Sequence, residues 1–284
     1  MVTSLHVVLS HVQVAPLLQA RREGRRQCEL SPDLGLSLVT VALTEEGVLF
    51  PSGELLRWDD VERIASALNS CFLLEHGSVR AIQTFSAVTN RPCSLYPTQG
   101  APSLLIAGFV MHRVKEVDPL EDTRLKIRTL APIGGRVLDT ATGLGYTAIE
   151  AARHADEVIT IELDPAVQEV ARFNPWSQDL FHHPRIRRML GDASELVPTF
   201  PDQYFSRIIH DPPAFALAGE LYSGAFYREL YRVLRAGGRL FHYVGDLQSR
   251  AGSSTLRGVT RRLQEAGFSR VMPHQEAFGV VAYK

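Results

Sequence analysis

Beyond residue 120 the hydrophobic pattern settles into a regular alternation. Short apolar runs closed by turn residues are followed by stretches whose apolar positions recur at three- and four-residue spacing. Runs of the first kind predict strands over 136–140, 157–163, 186–191, 204–210 and 238–244. The intervening stretches predict helices over 147–155, 166–172, 219–235 and 254–266. Strands alternating with helices build a parallel, doubly wound sheet, because each crossover must return the chain to the same end of the sheet. The last two runs, 271–273 and 278–283, are too close to enclose a helix, so they form a hairpin whose final strand is antiparallel.

The earlier part of the chain has a different texture. Segment 28–57 carries alternating apolar residues punctuated by Glu-Glu-Gly and Pro-Ser-Gly, the mark of short antiparallel strands. A helix is expected over 58–74, with Asp59 or Asp60 as its cap and Val61, Ile64, Ala65 and Leu68 on its apolar face. Further strands are expected over 78–85, 94–97 and, buried, 104–112. The expected organisation is an α+β accessory domain over 1–118 that recognises substrate, and an α/β domain over 119–284, dividing near 118–124.

At 284 residues, with 45% hydrophobic and 21% charged content, the chain has apolar material enough for both domains. No apolar run reaches the roughly 18 residues of a membrane span. The apolar run after Met1 is broken by His6, Ser10, His11 and Gln13, without a basic start or cleavage site, so a cytoplasmic protein with no membrane partner is expected. Cys28, Cys71 and Cys93 are scattered and odd in number, which supports neither a disulfide framework nor a metal site. A net charge of −1 excludes a global pull on nucleic acid. Local arginine clusters remain at Arg21, Arg22, Arg25 and Arg26, at Arg185, Arg187 and Arg188, and at Arg250, Arg257, Arg261 and Arg262.

The candidate chemistry begins in VLDTATGLGYTAIEAA, residues 137–152, which sets a buried strand, an acid and a glycine turn directly before a helix. Gly143 and Gly145 let the backbone turn tightly and approach a ligand with no Cβ in the way. The next strand carries Glu162 about 20 residues on, where a carboxylate can take both hydroxyls of a ribose. A pyrophosphate fits poorly: the third glycine of a dinucleotide loop is replaced by Ala148, and Asp139 aimed into the loop repels phosphate and suits an ammonium. Asp192 closes the third strand and can cap a short helix beginning at Ser194. Asp211-Pro212-Pro213 lies at the carboxyl end of the fourth strand, where open α/β sheets place their ligands.

This combination resembles the class I S-adenosylmethionine-dependent methyltransferases. Over nearly the whole chain, including MHRVKEVDPLEDTR and LAGELYSGAFYRELYRVLRAGGRLFHYVG, it resembles a two-domain methyltransferase family found mostly in archaea. The resemblance implies a Rossmann-like doubly wound sheet with an antiparallel last strand, preceded by a small α+β N-terminal domain. It also implies S-adenosylmethionine as cofactor, held by Asp139, Thr140, Ala141, Thr142, Gly143, Gly145, Tyr146, Glu162, Leu163, Asp192 and Ala193, with Asp192 accepting from the adenine amine. Ala141 stands where the common pattern has its first glycine, so the loop must accommodate a Cβ there.

IIHDPPAF, residues 208–215, resembles the (Asp/Asn)-Pro-Pro-aromatic motif of enzymes that methylate exocyclic or side-chain amines. Such an amine has a delocalised lone pair and must be oriented by acceptors, here the Asp211 side chain and the Pro212 carbonyl, while Pro212 and Pro213 stiffen the loop. Ala214 separates the prolines from Phe215, which is expected to stack on a base. The resemblance implies an RNA substrate, with cytosine N4 of ribosomal RNA as target. Arg113 and Lys115, beside His112, and Tyr222, near Ser223 and Tyr227, are candidate substrate contacts. Two other readings compete. A polyamine aminopropyltransferase also precedes this sheet with a small β-rich domain, but its Gly-Gly-Gly-Asp signature is absent here. A non-catalytic RNA-binding factor would have no use for intact Asp139, Glu162, Asp192 and Asp211.

Overall fold

The computed structural model describes residues 6–213 and 218–284. The chain divides into two compact units, Met1–Pro119 with Ala166–Gln178, and Leu120–Pro165 with Asp179–Lys284.

Among the described residues the first unit contains three small antiparallel sheets. One orders the strands Val7–Leu9, Phe72–Glu75 and Ser78–Ala81; another runs Gln27–Leu30, Val39–Leu43, Gly47–Leu49, Leu55–Arg57 in chain order. The third orders Phe109–Val110, Ser103–Ile106, Arg91–Tyr96, Gln83–Ser86. Helix His11–Arg22 opens with a reciprocal cap, in which Ser10 N donates to Gln13 Oε1 at 3.1 Å and Val12 N to Ser10 Oγ at 3.2 Å. Val14 and Leu17 of this helix join Val41, Leu56, Val61, Ile64 and Leu74 in one apolar core.

Two expectations for this unit are corrected. The helix expected over 58–74 spans only Trp58–Ser66, no side chain caps it, and Leu68 is 61% exposed. The apolar run after Asn69 and Ser70 becomes the strand Phe72–Glu75, which gains a ladder on both edges. The buried strand expected over 104–112 is a hairpin, folded at Ala107 and Gly108, whose φ values of 50 and 84 are those of a tight primed turn.

The second unit is built on one seven-stranded sheet. Its strands are β1 (Arg136–Asp139), β2 (Glu157–Glu162), β3 (Ile186–Leu190), β4 (Phe205–His210), β5 (Leu234–Tyr243), β6 (Arg270–His274) and β7 (Gly279–Tyr283). Their spatial order is β3-β2-β1-β4-β5-β7-β6. The first five are parallel, and β7 runs antiparallel between β5 and β6. This is the α/β doubly wound sheet expected from the alternation and the closing hairpin, and the class I methyltransferase architecture that the resemblance implies. Helices Gly224–Val233 and Arg250–Glu265 bury Tyr227, Leu230, Val259 and Leu263 against Ile208, Leu240 and Val280 of the sheet. The helix expected over 219–235 is divided: Gly219–Tyr222 is a single tight turn, Ser223 caps the helix proper, and residues from Leu234 onward belong to β5. Segment 193–196 forms the short helix expected after Asp192. Among the described residues no helix is long and apolar enough to cross a membrane.

Candidate active site

The strand order changes direction at β1 and β4, and the carboxyl ends of neighbouring parallel strands there define the crevice that such sheets offer to ligands. Asp139 ends β1, fully buried. Its Oδ2 accepts hydrogen bonds from Thr160 Oγ1 at 2.8 Å and Thr147 Oγ1 at 3.3 Å. Its Oδ1 is buried and takes no hydrogen bond among the described residues. An acceptor left unmatched in this way is costly unless a ligand completes it. Thr142 Oγ1 and Thr160 Oγ1 lie 2.6 Å apart, so the threonine hydroxyls serve the loop's own framework.

After Asp139 the chain turns through Gly143 and Gly145, both left-handed with φ of 53 and 79. At Gly145 a Cβ would also fall 2.7 Å from Leu180 Cδ2, so this position needs glycine on two counts. Ala141 is not among the left-handed residues, which is why its Cβ is tolerated. Glu162 ends β2 and ties the loop to that strand: Gly143 N donates to its Oε2 at 2.9 Å and Asp164 N to its Oε1 at 3.0 Å. Leu163, beside it, leaves 45% of its surface exposed. Asp192 caps the helix Ala193–Leu196, accepting from Ser194 N at 2.7 Å. A cofactor carrying an ammonium, a ribose and an adenine fits these residues, since the orphaned Asp139 oxygen and the paired Glu162 oxygens offer acceptors of the required kind.

Burial dominates the electrostatics of both acids. It pushes the Asp139 carboxyl up to about 7; the hydrogen bonds from Thr160 and Thr147 oppose this, and the charges of Asp211 and Glu162 add to it. Glu162 is likewise raised by burial to about 7, against the pull of the Asp164 and Gly143 N–H groups. An ammonium binds the ionised carboxylate, so binding must expel any proton the apo site holds. Cofactor affinity is therefore expected to rise by about tenfold or more as pH increases from about 5.5 to about 7 and to level off above it, with the cofactor's own ammonium still mostly protonated at neutral pH. Calorimetric titration in buffers of different ionisation enthalpy checks this, and a pH-independent constant without proton release would contradict it.

β4 delivers the second half of the site. His210, its last residue, is fully buried and stands between two partners, Thr140 Oγ1 at 2.7 Å from Nδ1 and Leu221 O at 2.9 Å from Nε2. The carbonyl can only accept, so the proton is assigned to Nε2 and Thr140 donates to Nδ1. Burial lowers the pKa of His210 to about 3, which keeps the ring neutral and the network intact. The β4 end is thereby pinned to β1 just before Asp211. Tyr222, expected to line the substrate pocket, is instead 4% exposed and donates from its hydroxyl to Pro213 O at 3.1 Å, a clamp on the Asp211-Pro212-Pro213 turn.

Asp211 itself is 19% exposed through its side chain, and its Oδ2 accepts from Lys126 Nζ at 2.7 Å. Lys126 and its second partner, Asp122 at 2.8 Å, lie four residues apart on the helix Pro119–Arg128. Neither residue was expected at the site. Phe215 falls outside the described residues. Arg113 and Lys115 belong to the first unit, where Arg113 is half-buried and Lys115 exposed. The remaining expected residues are carried by the ends of β1, β2, β3 and β4 and the segments that follow them.

Residues 137–238 match the family model described as Methyltransferase domain. The uncharacterised protein MJ1233 of Methanocaldococcus jannaschii is 45% identical over 238 residues, which cover 83% of this chain and 80% of that protein. Polyamine aminopropyltransferase 2 of Streptomyces coelicolor is 33% identical over 123 residues, 40% of this chain and 22% of that enzyme. Among solved structures, a spermidine synthase in complex with the transition-state analogue AdoDATO superposes with a TM-score of 0.60 at 20% identity, over 71% of each chain.

Proposed function

We propose that this chain, which belongs to the family of the uncharacterised protein MJ1233 and matches the Methyltransferase domain model over residues 137–238, is an S-adenosylmethionine-dependent N-methyltransferase acting on a planar exocyclic amine of a nucleobase in RNA. Our specific reading is cytosine N4 of ribosomal RNA, with the first unit recognising the RNA. The observation that carries the reading is the Asp211-Pro212-Pro213 turn at the carboxyl end of β4, which pairs in parallel with β1 and so lies beside the end that carries Asp139. S-adenosylmethionine held at Asp139 and Glu162 would supply an electrophilic methyl carbon. The protein's own contribution is to orient the nucleophile. Asp211 would accept from one N–H of the amine and the Pro212 carbonyl from the other, so that the nitrogen lone pair faces the methyl carbon; as the N–C bond forms the S–C bond would break, the thioether product would leave, and the surplus amine proton would pass to water.

A second reading is aminopropyl transfer to an aliphatic polyamine from the decarboxylated cofactor. The comparisons favour it over RNA methylation: a superposing solved structure is a spermidine synthase, and a shorter stretch of sequence matches a polyamine aminopropyltransferase. The Asp-Pro-Pro chemistry favours the first, because an aliphatic ammonium must lose a proton before it can attack, while a conjugated amine needs only acceptors.

One paired assay separates them. Purified protein is given methyl-labelled S-adenosylmethionine with ribosomal RNA and, in parallel, decarboxylated S-adenosylmethionine with putrescine and spermidine. Label recovered in N4-methylcytidine after nucleoside digestion is the expected result. An aminopropylated polyamine with no label in RNA would replace the first reading by the second.

A further inference from the structure

The geometry points to Lys126 as a positioning residue, the group that anchors one oxygen of Asp211 so that the other stays directed at the substrate amine. This rests on the reading of Asp211 as the amine's acceptor. Lys126 is 3% exposed and stands between two carboxylates, Asp211 Oδ2 at 2.7 Å and Asp122 Oδ2 at 2.8 Å, with the Asp122 side chain fully buried. Its ammonium also lies 4.6 Å from the Tyr243 ring centroid, so β5 supports it from a further side. Asp211 Oδ1 takes no hydrogen bond among the described residues, while its side chain keeps 19% of its surface open. One oxygen is thus fixed from behind and the other is available.

A buried ammonium is retained only where carboxylates match it, since an unpaired charge there is strongly destabilising. Asp122 alone would match Lys126 one to one. Asp211 is the second carboxylate on Lys126 and the more exposed of the two. The groups bearing on Asp211 are Lys126 and Asp122 from the helix Pro119–Arg128, Asp139 from β1, and Tyr222, with Tyr243 next to the last. Burial raises the Asp211 carboxyl, Lys126 lowers it by charge and hydrogen bond, and Asp122 raises it again. Lys126 is in turn raised by the two carboxylates despite its burial, so it remains charged.

Two substitutions in this one cluster should move Asp211 in opposite directions, which a merely structural role would not do. The carboxyl carbon of Asp211, assigned from its absence in the Asp211→Asn spectrum, is followed by NMR as pH is varied. Lys126→Met should raise its titration midpoint by about one pH unit or more, and Asp122→Asn should lower it. In the methyl-transfer assay Lys126→Met should lose about tenfold or more in kcat at neutral pH and shift the acid limb of the pH profile upward. Lys126→Arg should recover part of the rate. If Lys126→Met does not fold, the Asp122→Asn midpoint carries the test. An unmoved midpoint in the folded variants overturns the role of Lys126. A moved midpoint with undiminished kcat overturns the positioning role while leaving Asp211 in the site, whereas undiminished turnover in Asp211→Ala, assayed beside it, fails the functional reading itself.

Discussion

Asp211→Ala is expected to lower turnover by about a hundredfold or more, the scale on which loss of one positioning or proton-accepting group acts, while cofactor affinity changes far less. The fold should survive the substitution. Lys126 keeps Asp122 at 2.8 Å, so its buried ammonium is still paired, and the turn remains clamped through Pro213 O and Tyr222. Asp211→Asn is the more discriminating change. It keeps an acceptor oxygen and removes the charge, so methylation of a neutral planar amine should remain measurable. Aminopropyl transfer to a polyamine should collapse, because an ammonium needs a base to take its proton. Assaying both variants against RNA and against polyamines decides between these chemistries. An Asp211→Ala enzyme with undiminished turnover would remove the residue from the site.

The sheet was legible because parallel strands buried on both faces leave continuous apolar runs, as in Val158, Ile159, Thr160 and Ile161 of β2. The antiparallel ending was legible from chain length alone, since a handful of residues cannot cross a sheet. Where local patterning competed with tertiary pairing, the reading failed. Phe72, Leu73 and Leu74 fit a helix face as well as a strand, and only the ladders to Val7–Leu9 and Ser78–Ala81 decide for the strand. The Ala107-Gly108 turn was hidden in an unbroken apolar run.

At the site, residues fixed by backbone geometry were readable and residues fixed by long-range pairing were not. Gly143, Gly145 and the acids at strand ends announce themselves by position within a strand–turn–helix unit. Lys126 pairs with a carboxylate 85 residues away, from a helix that lies at the expected boundary between domains. A signal was present in that helix: Pro119 opens it, acids fill its first turn, and Asp122 and Lys126 share a face at four-residue spacing. Sequence alone leaves Tyr222 open between substrate and scaffold, because a tyrosine near a catalytic turn can serve either, and its burial marks the scaffold.

Glu162→Ala is expected to weaken cofactor binding by about ten- to a hundredfold, corresponding to about 1.5–3 kcal/mol for unpaired hydroxyls in a partly buried site. Two losses combine. A ribose would no longer find its acceptor, and the glycine loop would no longer be held, since Gly143 N and Asp164 N both donate to this carboxylate. Glu162→Gln separates the contributions. Its amide oxygen can still accept from Gly143 N or from Asp164 N, but its NH2 then faces the other donor, so one anchor is lost and affinity should fall between wild type and the alanine variant. Relief of a buried charge works the other way on the unligated protein. Glu162 is raised to about 7 by burial, so near neutral pH its neutral replacement is not expected to lower the melting temperature as sharply as it lowers affinity. Calorimetric titration with S-adenosylmethionine, beside a thermal melt of each variant, measures both. Unchanged affinity in a folded Glu162→Ala protein would take the ribose away from β2 and leave Asp139 as the acid on which cofactor recognition turns.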